Sequence, residues 1–250
     1  MSYVNYCSSG FTDIGKVRAE NQDAFYIDGK ANIYIVADGM GGLLNGSLTS
    51  RYMIEELPVL LKEKMKHLEK KNKDNISVLL KNEVKELSNR IWERLGAKSG
   101  TTVVLAFLQE NDAFITHLGD SRAYLFNKGI LQRLTNDHNI ANILVESGSI
   151  SSEEAMVHPM RHMLTNYAGM RGGESPKVRM INLEPGNRIL LCTDGLTSML
   201  SEKEIVDVLK FEHNQKIVLK KLIDGANEAE GDDNITAVLI DVMESREKVK

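Results

Sequence analysis

Two hydrophobic periods take turns along this chain. Strand-like apolar stretches occupy residues 3–11, 23–28 and 32–37, broken by turn residues at 13–16 and 28–30. Helical spacing then takes over. Leu57, Leu60, Leu61, Met65 and Leu68 line one face of a helix, with Pro58 expected at a break or in a first turn. Ile76, Leu79, Leu80, Val84, Leu87, Ile91 and Leu95 predict a second amphipathic helix closed near Gly96. Strand character returns at 101–108, 113–118 and 122–126, with hairpin-like turns at 109–112 and 119–121. Residues 138–147 read as helical and 148–160 as a polar surface loop. Strands at 178–183 and 188–192 flank the turn Glu184-Pro185-Gly186-Asn187. Helices around 201–210 and 215–230 follow, and an apolar strand at 234–242 closes the pattern.

The order is therefore strands, two helices, strands, two helices, strand. Strand groups and helix pairs segregate instead of alternating singly. That favours stacked antiparallel sheets with helices outside over a doubly wound parallel sheet. No repeat, linker or low-complexity segment divides the chain, so one domain over residues 1–250 is expected.

Composition narrows the partners. With 42% hydrophobic and 26% charged residues, the chain has the balance of a globular protein. Its net charge of −4 offers no basic field to nucleic acid. The lysines between 62 and 73 are interleaved with Glu63 and Glu69, and Asp74 follows, which suits a solvated helix surface. The opening residues lack a basic start followed by an apolar stretch, and no apolar run approaches bilayer length, so no signal peptide and no membrane partner are expected. Cys7 and Cys192 stand far apart in strand-like segments and read as buried, reduced thiols. A cytoplasmic location is the resulting expectation.

Acids collect where strands end. Two apolar stretches run into the same dipeptide, Asp38-Gly39 and Asp194-Gly195. A third ends in Gly119-Asp120, the last is preceded by Asp232-Asp233, and Asp23 opens a strand. Singly, Asp-Gly is a common turn pair. Together, if the strand ends converge, four or five carboxylates would repel one another severely without a counter-charge. Hard divalent cations with oxygen ligands are the natural one. No His or Cys spacing supplies a zinc set; His158 and His162 lack the Glu that zinc proteases place after the first His. Two cations sharing a carboxylate can ionise water and clamp a phosphoryl group. Arg18, upstream of Asp23, is a candidate fork for phosphate oxygens. Gly39-Met40-Gly41-Gly42 lacks the Lys-Ser/Thr of a P-loop and reads as backbone room near the metals.

These residues resemble the PP2C (PPM) family of metal-dependent protein phosphatases in its bacterial form, from Thr12 to about Val242. The motifs are Thr12-Asp13-x-Gly15-x-x-Arg18-x-x-Asn21-Gln22-Asp23-Ala24 and Val36-Ala37-Asp38-Gly39-Met40-Gly41-Gly42. Gly100-Thr101-Thr102, Gly119-Asp120-Ser121-Arg122, Asp137-His138, Arg161 to Gly169, Cys192-Thr193-Asp194-Gly195-Leu196 and Gly231-x-Asp233-Asn234 follow in order. The resemblance implies an α+β fold, a four-layer α-β-β-α sandwich of two antiparallel sheets flanked by helix pairs. It implies Mg²⁺ or Mn²⁺, two ions held tightly and a third more weakly. Asp38 would bridge the pair, the Gly39 carbonyl would ligate one ion, and Asp194 and Asp233 would complete the set. Asp23 would hold metal-bound water, Asp120 with Asp194 would hold the third ion, and Arg18 would bind the substrate phosphate. Residues 147–161 correspond to a flap beside the site.

The implied reaction is hydrolysis of phosphoserine and phosphothreonine in phosphoproteins by attack of metal-bound water. A serine/threonine kinase is the implied partner, and a monomer is expected. The alternatives are a catalytically weak PP2C-like binding or regulatory module, or a phosphohydrolase acting on a small metabolite. One departure bears on them. Leu43 stands where bacterial members carry His after Gly-Gly, and Gly46-Ser47-Leu48-Thr49-Ser50 replaces the usual Gly-Glu-x-x-Ser. The resemblance therefore supplies no proton donor for the leaving group at this position.

Overall fold

Each central strand is apolar at nearly every position because both of its faces are covered. In the computed structural model, which describes residues 4–40, 46–96 and 99–245, β3 (Ile33–Met40) shows how. Ile33, Ile35 and Ala37 point toward helices, while Tyr34 and Val36 point into the space between two sheets. Such a strand reads as a continuous apolar run instead of an alternating one.

One sheet runs in the order β1 (Val4–Asp13), β11 (Ile235–Glu244), β10 (Arg188–Cys192), β7 (Arg122–Asn127), β8 (Ile130–Arg133). The other runs β2 (Asp23–Asp28), β3, β5 (Val103–Gln109), β6 (Asp112–Leu118), β9 (Val178–Asn182), with the short β4 (Gly100–Thr101) paired to the end of β3. All named pairings are antiparallel. Met53, Leu57 and Leu61 of α1 (Gly46–Lys66) and Leu80, Val84 and Leu87 of α2 (Lys73–Leu95) cover the second sheet. Ile205 and Leu209 of α6 (Glu202–Phe211) and Val218 and Leu222 of α7 (Gln215–Glu228) cover the first. Tyr34, Val36, Val104 and Ile115 meet Ile189, Leu191, Val238 and Ile240 between the sheets. The result is the expected four-layer α-β-β-α sandwich. Among the described residues no helix is long and apolar enough to cross a membrane.

Several local expectations change. Pro58 sits inside α1, buried and well past its start, where an interior proline costs roughly 3 kcal/mol. The buried stripe of Met53, Leu57 and Leu61 runs through that position and holds the helix together. Gly119–Ser121 is not a hairpin: β6 and β7 belong to different sheets, so this turn carries the chain across the sandwich. The turn at 109–112 does form a hairpin, joining β5 to β6, and β7–β8 is another, whose Lys128 and Gly129 both have positive φ, 49° and 86°. The loop at 148–160 contains a short helix, α4 (Ser152–Met156), started by a capping box between Ser151 and Glu154. It lies with α3 (Ile140–Glu146) in the excursion between β8 and β9. Cys192 is buried as expected, but Cys7 is exposed because β1 is an edge strand; both thiols are free.

Candidate metal centre

Strand register decides where the acids fall. In the antiparallel β2–β3 ladder Asp23 lies directly opposite Asp38. Like charges so placed repel, and a one-residue slip would send Asp38 to the other face. On the other sheet Cys192 pairs with Ala237, and the Thr193 N–H donates to the Thr236 carbonyl at 3.0 Å. Asp194, just after β10, and Asp233, just before β11, are thereby brought to one end of the sandwich. The crossing between β6 and β7 delivers Asp120 to the same end, where it joins Asp38, Gly39, Asp194 and Asp233 in lining one cleft.

The electrostatics record that convergence. Burial holds the Asp38 carboxyl well above the ordinary range, and Asp23, Asp194, Asp120 and Asp233 push it further. Burial also pushes Asp23 up to about 7, with Asp194 and Asp233 adding to it against hydrogen bonds from Thr236 and Thr193. Asp120 is raised well above its usual value by burial, then by Asp194 and Asp137.

Small residues around the acids fix their backbones. Neither Asp-Gly pair forms a turn: Gly39 continues β3, and Gly195 opens α5 (Asp194–Thr197). A Cβ on Gly39 would collide with the Gly46 carbonyl and stand 2.7 Å from that of Gln22. One on Gly195 would collide with the Asn234 carbonyl, whose carbon would lie 3.0 Å away. The glycines permit close backbone approach. The Thr102 hydroxyl accepts from the Asp38 N–H at 2.9 Å and meets the Ser121 hydroxyl at 2.6 Å. The Thr101 hydroxyl donates to the Asp38 carbonyl at 2.9 Å. The Thr193 hydroxyl donates to Asp23 Oδ2 at 2.9 Å. Asn234 accepts from the Gln22 N–H and donates to the carbonyls of Ile14 and Glu20, pinning the 14–22 segment to the start of β11.

Two basic side chains reach the acids. Arg18 Nη2 pairs with Asp233 Oδ2 at 2.7 Å, at the half-exposed mouth of the cleft. His162 Nδ1 lies 3.6 Å from Asp194 Oδ2. His158 does not join it: its Nδ1 accepts from the Met160 N–H. The His-x-x-x-His spacing therefore makes no metal pair. The sequence reading treats His162 only as a partner of His158 and as part of the Arg161 to Gly169 motif, with no site role of its own, and the fold sets it against Asp194 instead. The cleft, about 780 Å³, is lined by Arg18, Asp38, Asp120, His162, Asp194 and Asp233, among others. A second cavity of about 550 Å³ adjoins it and shares Asp120, Arg161, His162 and Asp194. At its floor Arg122 grips both oxygens of Asp137, which Arg133 also pairs. Burial alone would raise the Asp137 carboxyl, but the two guanidinium groups hold it below the ordinary range.

The donor set fits a hard divalent cation. It is all oxygen, and Asp23 Oδ1 and Asp194 Oδ1 are buried without a hydrogen-bond partner. Among the described residues no three acidic, His or Cys side chains already close on one point. A cation here would therefore keep water in part of its shell, as Mg²⁺ commonly does. Residues 41–45, Leu43 among them, lie outside the described residues.

The fold and this carboxylate set define a class of enzyme. The family model for protein phosphatase 2C matches residues 16–239, and the chain belongs to that family. The serine/threonine phosphatase Stp of Listeria welshimeri is 34% identical over 240 residues, spanning 92% of this chain and 93% of its own. The Ser-Thr phosphatase MsPP of Mycobacterium smegmatis, crystallised with cacodylate, superposes with a TM-score of 0.81 at 32% identity, covering 94% of this chain and 97% of its own. The catalytic domain of the phosphatase PstP, in complex with two manganese ions, gives a TM-score of 0.74 at 26% identity over 96% of this chain and 100% of that one.

Proposed function

We propose that this chain, as a single catalytic domain, hydrolyses phosphoserine and phosphothreonine in phosphoproteins with Mg²⁺ or Mn²⁺ as cofactor. The observation that carries the reading is the convergence of five aspartates on one end of the sandwich, with Arg18 at the mouth. Asp38, Asp194 and Asp233, with the Gly39 carbonyl, are the residues that would hold two tightly bound ions. Asp120, with Asp194, is assigned to a third and weaker one. When bound, these ions supply the charge that makes water nucleophilic near neutral pH and clamps phosphoryl oxygens.

The chain's own groups do the positioning. Thr193 occupies Asp23 Oδ2, which leaves the partnerless Oδ1 to hold and orient a water. Arg18 spends only Nη2 on Asp233, so the rest of its fork is available to orient phosphate oxygens. Thr101 and Thr102 hold the Asp38 backbone so that its carboxylate stays in place through turnover. Residues 147–161 are assigned as the flap beside the cleft. The working form is a cytoplasmic monomer that opposes a serine/threonine kinase.

The test is a metal-stripped preparation titrated with Mn²⁺ and with Mg²⁺ and assayed on phosphothreonine and phosphotyrosine peptides. Activity should appear only with metal and favour phosphothreonine. Activity that survives chelation but not thiol alkylation would overturn the reading, since Cys192 is fully buried.

A further inference from the structure

Asp120 stands in the chain between two residues that are each tied down. On one side, Ser121 Oγ meets the Thr102 hydroxyl at 2.6 Å, and Thr102 in turn accepts from the Asp38 N–H. On the other side, Gly119 is held at both of its polar groups by a single residue, His138. The Gly119 carbonyl accepts from the His138 N–H at 3.0 Å, and the Gly119 N–H donates to His138 Nδ1 at 3.2 Å. Gly119 has a φ of 103°, and a Cβ there would stand 2.6 Å from Thr102 Cγ2. The turn that carries Asp120 is thus pressed between His138 and Thr102.

The His138 ring is itself fixed. It stacks on His117, with ring centroids 4.5 Å apart and planes 10° from parallel. His117 Nε2 donates to the Asn136 carbonyl at 2.7 Å, which sets the face of the stack. The His138 carbonyl accepts from the Thr165 N–H at 2.8 Å, so the same residue also ties in the segment that carries His162. A ring nitrogen that accepts a hydrogen bond carries no proton. The geometry therefore requires a neutral His138 with its proton on Nε2. Burial favours that form: it lowers His138 against Asp137, Glu174 and Glu146, and Lys177 adds to it. Burial also takes His117 down to about 4, with His138 adding to it against the Asn136 carbonyl.

We propose that His138 is a positioning residue of the metal centre, whose Nδ1 fixes the Gly119 turn and so sets the affinity of the outer ion assigned to Asp120 and Asp194. This rests on that assignment. Without the ring acceptor the N–H of the buried Gly119 loses its partner, and the peptide ahead of Asp120 must turn to find another. The tight pair stands on Asp38, Asp194 and Asp233, none of which lies in this turn, and is spared.

The test follows Mn²⁺ binding by calorimetry, beside nitrogen NMR of the metal-free wild type near neutral pH. His138→Phe keeps an aromatic face for His117 and loses the acceptor. His138→Asn loses the stack and keeps an acceptor, because Oδ1 stands as many bonds from the backbone as Nδ1. The phenylalanine variant should weaken the low-affinity phase by about tenfold and leave the tight phase within about twofold. The asparagine variant should recover most of that loss, and the wild-type ring should show a bare Nδ1 and a protonated Nε2. An unchanged low-affinity phase in His138→Phe, an equal loss in both phases, an asparagine variant no better than the phenylalanine one, or a protonated Nδ1 would each overturn the proposal. If His138→Phe does not fold, His138→Leu takes its place, and the wild-type tautomer tests the hydrogen bond without any variant. A wild type with no low-affinity phase would sink the Asp120 assignment and this proposal with it, while metal-dependent turnover would still uphold the phosphatase reading.

Discussion

The carboxylate opposite Asp38 should make the metal-stripped protein less stable than a variant that lacks it. Burial, with Asp194 and Asp233, takes Asp23 from 3.8 up to about 7. At about 1.4 kcal/mol per pKa unit, keeping it charged at pH 8 costs the stripped fold about 4 kcal/mol. The sign follows from the raised folded pKa. The penalty is absent below about pH 4, where Asp23 is protonated in both states, grows as the pH rises, and is complete above about pH 7. Asp23→Asn removes the charge and keeps an acceptor for the Thr193 hydroxyl. In EDTA at pH 8 the variant should melt about 10 °C higher than the wild type, given roughly 2 to 4 °C per kcal/mol for a chain of this size. At pH 5 most of that gain should vanish. With Mn²⁺ restored the order should reverse in turnover, the variant being the slower enzyme. Scanning calorimetry at the two pH values decides it. A gain that is equal at both, or a loss at pH 8, would refute the argument that charge crowding at Asp23 limits the stripped fold.

Other outcomes follow from the same geometry. Asp38→Asn, Asp194→Asn and Asp233→Asn should lose most Mn²⁺ binding by calorimetry and nearly all turnover, whereas Arg18→Ala should keep its metal affinity and raise KM. Asp120→Ala should lose only a weak third site, which Mn²⁺ titration would show as the disappearance of the low-affinity phase. Gly195→Ala should cost roughly 1 to 3 kcal/mol in urea melts, because its Cβ meets rigid backbone at Asn234. Gly225 lies within α7, and in Gly225→Ala the new methyl would stand 3.6 Å from a Leu200 methyl, so the variant should gain about 0.5 to 1 kcal/mol.

Much of this was legible in the sequence, for reasons that can be named. Strand–helix segregation gave the layers because a doubly covered strand such as β3 must be apolar throughout. The acids were visible as strand-end residues, and eight motifs in order gave the family. Their convergence could be stated only as a condition, since register and sheet membership are long-range facts. Gly119–Ser121 reads locally like a hairpin, and only its neighbours place its two strands in different sheets. Pro58 misled because its local cost was weighed without the packing that offsets it. The capping box at Ser151-x-x-Glu154 was a local signal and was missed among polar neighbours. His162 lies in the Arg161 to Gly169 motif, but its partner is not legible there, and only the folded path of the 134–177 excursion brings it to Asp194.

The pairing of β1 with β11 has a consequence for how this protein is made. Val4 to Asp13 find their partners in Ile235 to Glu244, so the sheet that carries Asp194 cannot close until the ribosome has released β11. Asp233 and Asn234 stand just ahead of that strand, and Asn234 is what ties the Arg18 segment into place. Pairings of such wide separation form late and slowly. A nascent chain therefore has no working cleft, and a chain broken anywhere before β11 never acquires one. Metal uptake at the proposed site would in effect be a proofreading signal: it would report that the chain has been made through β11 and correctly folded.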